Sequence, residues 1–274
     1  MNGGSRIGRV LIIAGSDSGG GAGIQADIKA VTMLGAYAAT AVTAITVQNT
    51  LGVTGVHPIP LDIIEAQGRA VLDDIGADAI KTGMLGDAGT VAVAARLIDS
   101  ARNSMGRGVP VVIDPVMIAK GGASLLDPHA IAAVRAELLP RATLLTPNAP
   151  EAEALTGLPA TSTDDLRRCG YELLEAGAKA VLMKGGHVPG DRLVDLLITR
   201  DGETAFEDVR IDTRHTHGTG CTLASACAAG LAQGLDLTAA VARAWDYVHR
   251  AIEAAPGLGK GHGPLDHGWM LRSR

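Results

Sequence analysis

Apolar residues come along this chain in two alternating rhythms. Short apolar runs fall at residues 9–14, 42–47, 79–81, 111–114, 143–146, 180–184 and 193–199. Between them, apolar positions recur at helical spacing over 23–34, 62–74, 88–101, 128–139, 164–176, 221–233 and 237–254, which marks amphipathic helices. Strand, helix, strand at this rhythm predicts a three-layer α/β/α sandwich with a central, mostly parallel sheet. Several of the strands are continuous apolar runs, as a sheet covered on both faces requires. Residues 50–60 break the rhythm; rich in Gly, Val and Thr, they read as a small extended β flap. No internal repeat or linker interrupts the pattern. The expectation is one domain over residues 1–274, with 1–8 as a flexible N-terminal tail.

In such sheets ligands bind beyond the carboxyl ends of the strands. Here those ends read Gly15-Ser16-Asp17, Gln48-Asn49, Thr82-Gly83-Met84, Asp114-Pro115-Val116, Thr146-Pro147-Asn148 and Lys184-Gly185-Gly186-His187. Polar residues and glycines thus gather at one edge of the expected sheet. A further stretch, His215-Thr216-His217-Gly218-Thr219-Gly220-Cys221, opens directly into an alanine-rich apolar helix pattern. Amides freed by small residues at a helix N-terminus make an anion site. A cysteine in that positive field is expected to have a lowered pKa and to serve as proton acceptor or nucleophile. The plainer reading is a glycine-rich turn capping a helix, with Cys221 as a small buried hydrophobe.

Composition narrows the classes. The 274 residues are 47% hydrophobic, enough for a sizeable core, but only 2% aromatic, so Ala, Val, Leu and Ile must form it. The scarcity of aromatics argues against stacking platforms for single-stranded nucleic acid. A net charge of −5 without a basic run argues against nucleic-acid partners altogether. Three cysteines, with no C-x-x-C, form neither a disulfide framework nor a zinc site and fit a reducing compartment. The polar start and the short apolar run at 10–14 suit neither a signal nor a membrane helix. A cytoplasmic protein with no membrane contact is the expectation.

Phosphate-binding motifs are tested next. Gly21-x-Gly23-x-x-Ala26 after the first strand matches the loose dinucleotide fingerprint, but the second strand ends in Gln48 where that fingerprint wants an acid. Asp27, on the following helix, is a carboxylate for the same pocket. No G-x-x-x-x-G-K-[ST] occurs, and Gly257-Leu258-Gly259-Lys260-Gly261 lacks the hydroxyl residue after lysine. His215-x-His217 has no evident third metal ligand. There is no Gly-x-Ser-x-Gly elbow, and a Cys–His pairing of Cys221 with His187 or His217 stays open.

Taken in order, the motifs carry a resemblance. They are Gly-Ser-Asp…Gly-Gly-Ala-Gly-Ile-Gln-Ala-Asp (15–17 and 20–27), Lys81-Thr-Gly-Met84-Leu, Asp114-Pro-Val-Met and Leu145-Thr-Pro-Asn148-x-x-Glu151. Val181-Leu-Met-Lys184-Gly-Gly-His187, Thr216-His-Gly-Thr-Gly-Cys221 and Gly259-Lys-Gly-His-Gly-Pro264 complete the series. Together they resemble the bacterial hydroxymethylpyrimidine/phosphomethylpyrimidine kinases of thiamine biosynthesis, in the ribokinase-like superfamily, from about Val10 to His267. One departure is Ser18-Gly19 where that family usually has Pro-Ser, and it is expected to loosen the first loop.

The resemblance implies ATP-dependent phosphorylation of 4-amino-5-hydroxymethyl-2-methylpyrimidine and of its monophosphate. It implies that Gln48 and Asp27 hold the pyrimidine, with Gly15, Ala22, Met84 and Val116 lining its pocket. Gly218, Thr219 and Gly220 would form the anion hole, and Cys221 would take the hydroxyl proton. Lys184 would neutralise nucleotide phosphates, with Thr219, Asn148 and Asp114 also on the nucleotide side. Asn148 and Glu151 would position Mg²⁺ through water, and the relatives imply a homodimer. The nucleotide base would sit near the loops after Lys184 and Thr199. The 50–60 flap and residues 120–123 are candidates for motion.

Each residue also has a plainer reading. Asp27 is then a first-turn helix carboxylate, Gln48 a strand-end cap, Met84 core filler and Lys184 a snorkelling lysine. Asp114 starts a turn, and Glu151 is a helix-start charge. Three other functions remain: a pyridoxal kinase of the same superfamily, a non-catalytic ligand-binding protein of the same fold, and an NAD(P)-dependent oxidoreductase.

Overall fold

The computed structural model describes residues 7–105, 108–117 and 128–272, and there the apolar runs become the strands of one sheet. These are β1 (Arg9–Asp17), β2 (Tyr37–Asn49), β3 (Gly52–Pro58), β4 (Ala79–Thr82), β5 (Val111–Ile113), β6 (Leu144–Leu145), β7 (Ala180–Met183), β8 (Arg192–Thr199) and β9 (Gly202–Val209). Their order is β3-β2-β1-β4-β5-β6-β7-β8-β9. The strands from β2 to β7 in that order run parallel. β3 is antiparallel at one edge, and β8 and β9 are antiparallel at the other. The mostly parallel sheet read from the alternation is therefore present.

Two cores form because successive side chains of a strand point to opposite faces. Leu11 and Ile13 of β1 join Ile64, Leu97 and Leu166 on one face, whereas Val10, Ile12 and Ala14 join Val31, Leu223 and Tyr247 on the other. The first face carries α2 (Leu61–Asp74), α3 (Ala88–Met105), α4 (Pro128–Ala133), α5 (Ala149–Thr156) and α6 (Thr163–Glu175). The second carries α1 (Gly23–Met33), α7 (Thr219–Ala232) and α8 (Leu237–Glu253). Residues 222–230 of α7 are all buried. Their small side chains let α7 lie close to its neighbours; a Cβ on Gly230 would stand 2.9 Å from Ala240 Cβ of α8. No helix among the described residues is long and apolar enough to cross a membrane.

Several boundaries differ from the pattern. β9 has no apolar alternation because nearly all its side chains are exposed at the sheet edge. α5 is only eight residues long, too short for a period to show. The helix expected over 128–139 is α-helical to Ala133 and continues as a π turn over Val134–Leu138. The flap at 50–60 contains β3, hairpinned onto β2. Of the expected tail, residues 1–6 lie outside the described residues, but Gly8 is buried and its carbonyl accepts the Tyr37 N–H at 2.8 Å. Gly8 thus belongs to the body. Residues 120–123 also lie outside the described residues.

Candidate active site

Helix starts divide into two kinds here. α5, α6 and α8 are each closed by a side chain, from Asn148, Ser162 and Asp236. α1 and α7 have no side-chain cap and no acid in the first turn. Both begin at the carboxyl edge of the sheet, so their unspent amides and the positive ends of two helix dipoles face one place. Gly218, Thr219 and Gly220, expected to form an anion hole, make up the start of α7. The first intrahelical bond of α7 is Thr222 N–H to the Gly218 carbonyl at 2.9 Å, which leaves the Gly220 and Cys221 amides without an acceptor in the helix.

The loops that start these helices interlock. Gly218 has φ +83°, and a Cβ there would overlap the Gly21 carbonyl oxygen. A Cβ on Gly21 would in turn stand 2.5 Å from His217 Cδ2. Asp17, 2% exposed, accepts N–H groups from Gly19, Gly21 and Ala22 at 2.8, 3.1 and 2.8 Å, and His217 Nε2 lies 2.9 Å from it. Burial alone would raise this carboxyl. The bonds from His217, Ala22 and Gly19 outweigh that and hold it below the usual carboxylate range. Asp17 had no expected role, and His217 only that of a partner of Cys221 or of a metal. A carboxylate placed just before a run of glycine amides is the signal that marks Asp17. The ring of His217 is committed to Asp17 rather than to Cys221 or to a metal pair with His215. Ser18 does not loosen this loop: its hydroxyl donates to the Gln48 carbonyl at 2.7 Å and accepts the Gln48 N–H at 2.9 Å.

Gln48 is half-buried at the end of β2. Its side-chain nitrogen lies 3.3 Å from His217 Nε2, but that ring nitrogen has one hydrogen and the carboxylate of Asp17 is nearer. The Gln48 side-chain amide thus stands beside the Asp17–His217 pair, and its carbonyl oxygen accepts from Thr46 Oγ1 at 3.0 Å. Met84 and Gly15 lie together below: a Cβ on Gly15 would stand 2.6 Å from Met84 Cε, and Thr43 Oγ1 donates to the Met84 carbonyl at 2.7 Å. Ala22 caps α1 beside them, and Val116 lines a small hollow with Thr82, Gly83 and Asp114.

On the other side of the anion loop, Lys184 Nζ lies 3.0 Å from Asp114 Oδ1 and 3.7 Å from Glu151 Oε2. A Cβ on Gly220 would come 3.1 Å from that ammonium, so Lys184 borders the anion loop. Asp114 also accepts from Thr146 Oγ1 at 3.2 Å. Asp114, expected on the nucleotide side, is thus the ion-pair partner of Lys184 in this structure. Asn148 and Glu151 form a reciprocal capping box on α5, with bonds of 3.0 and 2.8 Å. Burial pushes Glu151 up to about 7, against the pull of Lys184 and with the push of Asp114.

Two expectations are overturned. Asp27 does not face a ligand. It is 0% exposed; Lys81 Nζ bonds its two oxygens at 2.8 and 2.9 Å, and Ser225 Oγ donates to Oδ1 at 2.7 Å. Lys81, also 0% exposed, had no expected role. Its signal was a lysine inside a strand covered on both faces, where a charge must be paired. Nor is the Cys221 thiol acidified: burial pushes it up to about 12. Lys81 and the Gly23 amide pull it down, but Asp27 and Asp114 oppose them.

The chain matches the model of the phosphomethylpyrimidine kinase family over residues 17–266. It is 48% identical over 262 residues to a hydroxymethylpyrimidine/phosphomethylpyrimidine kinase of Streptomyces coelicolor, covering 96% of this chain and 95% of that protein. It is 49% identical to the thiamine biosynthesis bifunctional protein ThiED of Geobacter sulfurreducens, covering 95% of this chain but only 52% of that longer protein. Among solved structures, an ADP complex of Bacillus subtilis pyridoxal kinase superposes with a TM-score of 0.89 at 37% identity, covering 98% of this chain and all of that one. A phosphomethylpyrimidine kinase of Clostridium difficile gives 0.77 at 40% identity, covering 90% of this chain and all of that one.

The interlock is testable by contrast. Gly218 and Gly234 both have positive φ, at +83° and +88°, but nothing lies within 4 Å of a Cβ at Gly234. Gly234→Ala should cost about 1 kcal/mol for its backbone alone. Gly218→Ala should cost at least about 2 kcal/mol, because the Gly21 carbonyl must also move. Urea unfolding of both variants measures the difference; equal losses would mean that the two loops are not locked.

Proposed function

The chain belongs to the phosphomethylpyrimidine kinase family, and we propose that it moves the γ-phosphoryl group of ATP to the hydroxymethyl oxygen of 4-amino-5-hydroxymethyl-2-methylpyrimidine, then phosphorylates the monophosphate to the diphosphate. The observation that carries this reading is the meeting of the two helix starts α1 and α7, with Cys221 at the start of α7, Lys184 bordering its first turn and Gln48 against His217 of the loop before it.

Phosphoryl transfer asks for positioning and charge neutralisation more than for covalent work. Gln48 offers a carbonyl and an amide in one plane, the complement of an aminopyrimidine's amino group and ring nitrogen. Gly15, Ala22, Met84 and Val116 form the apolar surround of that ring. The amides of Gly220 and Cys221, with Thr219 beside them, accept the charge of the transferring group. Lys184 lies next to them and carries charge toward the leaving phosphates. Cys221 first gives its own proton to solvent, and the thiolate then takes the proton of the attacking hydroxyl: the substrate O–H bond breaks, S–H and O–P bonds form, and the bond from phosphorus to the ADP oxygen breaks. The thiol proton then leaves to solvent.

Asp114 and Glu151 fit a divalent cation held through water. Mg²⁺ keeps several of its waters and takes one or two carboxylates alongside substrate phosphates. That matches two buried carboxylates opposed by one lysine, with no three-ligand cage among the described residues. When bound, the ion supplies neutralisation of the β- and γ-phosphate oxygens. Asn148 contributes by holding Glu151 in place through the capping box.

A second reading has its own support, since pyridoxal kinases are among the closely superposing structures. A coupled ADP-release assay with each substrate separates the two. Turnover of the hydroxymethylpyrimidine is expected, and turnover of pyridoxal alone would overturn the reading. Gln48→Ala should raise the KM for the pyrimidine about 10–100-fold while changing the KM for ATP little. The reverse would take Gln48 out of the pyrimidine site.

Glu151 gives a pH prediction. With its carboxyl at about 7, protonation below that value removes the charge that holds the cation's water shell. kcat/KM for ATP should therefore fall as pH drops through about 7. Glu151→Gln keeps the capping box but removes the charge, so its profile should be flat across that range and low throughout. An unchanged inflection in the variant assigns the ionisation to another group.

A further inference from the structure

The buried pair of Lys81 and Asp27 has no task in the scheme above, although it is costly to bury. Two fully desolvated charges are often no more stabilising than two apolar side chains of the same size. Both residues are 0% exposed, so they are not surface residues drawn inward. Their place in the fold is specific. Ser225 stands one helical turn beyond Cys221 on the same face of α7, and it is Ser225 that donates to Asp27 Oδ1 at 2.7 Å. The pair therefore lies under the first turn of α7. Lys81 Nζ also borders the end of β4, where a Cβ on Gly83 would stand 2.9 Å from it.

The charged groups that face Cys221 come from each element around it. Lys81 comes from β4, Asp27 from α1, Asp114 from the end of β5 and Lys184 from the end of β7, with the Gly23 amide at the start of α1. Lys81 is paired with Asp27, and Lys184 with Asp114 and Glu151, so the loss of one partner changes the charge around the thiol.

The geometry points to Lys81 as the positioning cation that sets the charge state of Cys221, with Asp27 as its restraint and Ser225 as the fixed point that holds Asp27 under the helix. This rests on reading Cys221 as the proton acceptor. Lys81 touches neither substrate nor phosphate; it acts through the thiol. Asp27 opposes it, because a carboxylate close to the ammonium cancels most of the field that reaches the sulfur.

The two partners of this ion pair must therefore have opposite effects on the thiol, whereas loss of packing would move both variants the same way. The test uses the full chain and the rate of Cys221 alkylation by iodoacetamide near pH ~8.5, followed by mass spectrometry of its peptide. Cys169 and Cys227 are buried and report any unfolding. Lys81→Met should slow alkylation about tenfold, and Asp27→Asn should speed it about tenfold. The pH–rate profiles for kcat should move in the matching directions. If Lys81→Met does not fold because Asp27 is left unpaired, Lys81→Met/Asp27→Asn removes that charge, and it should react more slowly than Asp27→Asn alone. Shifts in the same direction, or no shift, with Cys169 and Cys227 still protected, would overturn the proposal. Cys221→Ala isolates the underlying reading: turnover should fall about 10²–10⁴-fold. Unchanged turnover would remove the proton-acceptor role while leaving the alkylation result as a statement about Lys81 and the thiol.

Discussion

The close passage of Gly218 over the carbonyl of Gly21 is the constraint on which the site depends. It brings the starts of α1 and α7, some two hundred residues apart in sequence, into one cradle. Neither residue has room for a side chain at that crossing. Asp17 then fastens the crossing from below by gathering three loop amides and the His217 ring. Ser18 ties the same loop to the end of β2 through two bonds to Gln48. The first loop, the second strand and the loop before α7 are therefore tied together, and the groups proposed for the pyrimidine and for the phosphate are positioned by the same contacts.

These ties bear on where capping is absent. α5, α6 and α8 close their starts with Asn148, Ser162 and Asp236. α1 and α7 have no cap from their N-cap side chains, and a hydroxyl or acid at 218 would occupy amides that the proposed anion site uses. The open ends are tolerated because they face the ligand edge of the sheet, where water or phosphate can meet them.

The frame was legible because parallel strands covered on both faces must be apolar, and the loops at their carboxyl ends must not be. That contrast exposed Gln48, Asn148, Lys184 and the Gly218–Cys221 loop. It did not reveal how the charges pair. Asp27 and Lys81 are separated by two strands and a helix in sequence, and nothing local in Ala79-Ile80-Lys81-Thr82 names a partner. Asp27 looked like a ligand because it follows a glycine loop; burial and a lysine from β4 made it a counter-ion. The acidity expected of Cys221 failed for a related reason. The helix start was visible in the sequence, but the two carboxylates that offset it were not.

The same charge balance bears on why a thiol stands at position 221. Lys81 and Lys184 are already matched by Asp27 and Asp114. A carboxylate at 221 would add a further anion to a group that already holds Asp27, Asp114 and Glu151, and it would repel a substrate that already carries a phosphate. A thiol is neutral until it ionises, so it adds no standing repulsion to the anion hole. The small share of thiolate is the counterpart of that neutrality, and it is acceptable where the proton leaves late and the cradle carries most of the developing charge. The choice of cysteine thus follows from what already surrounds it: a resting thiol adds no charge beside Asp27, Asp114 and Glu151, and it becomes the proposed proton acceptor only after its own proton has left to solvent.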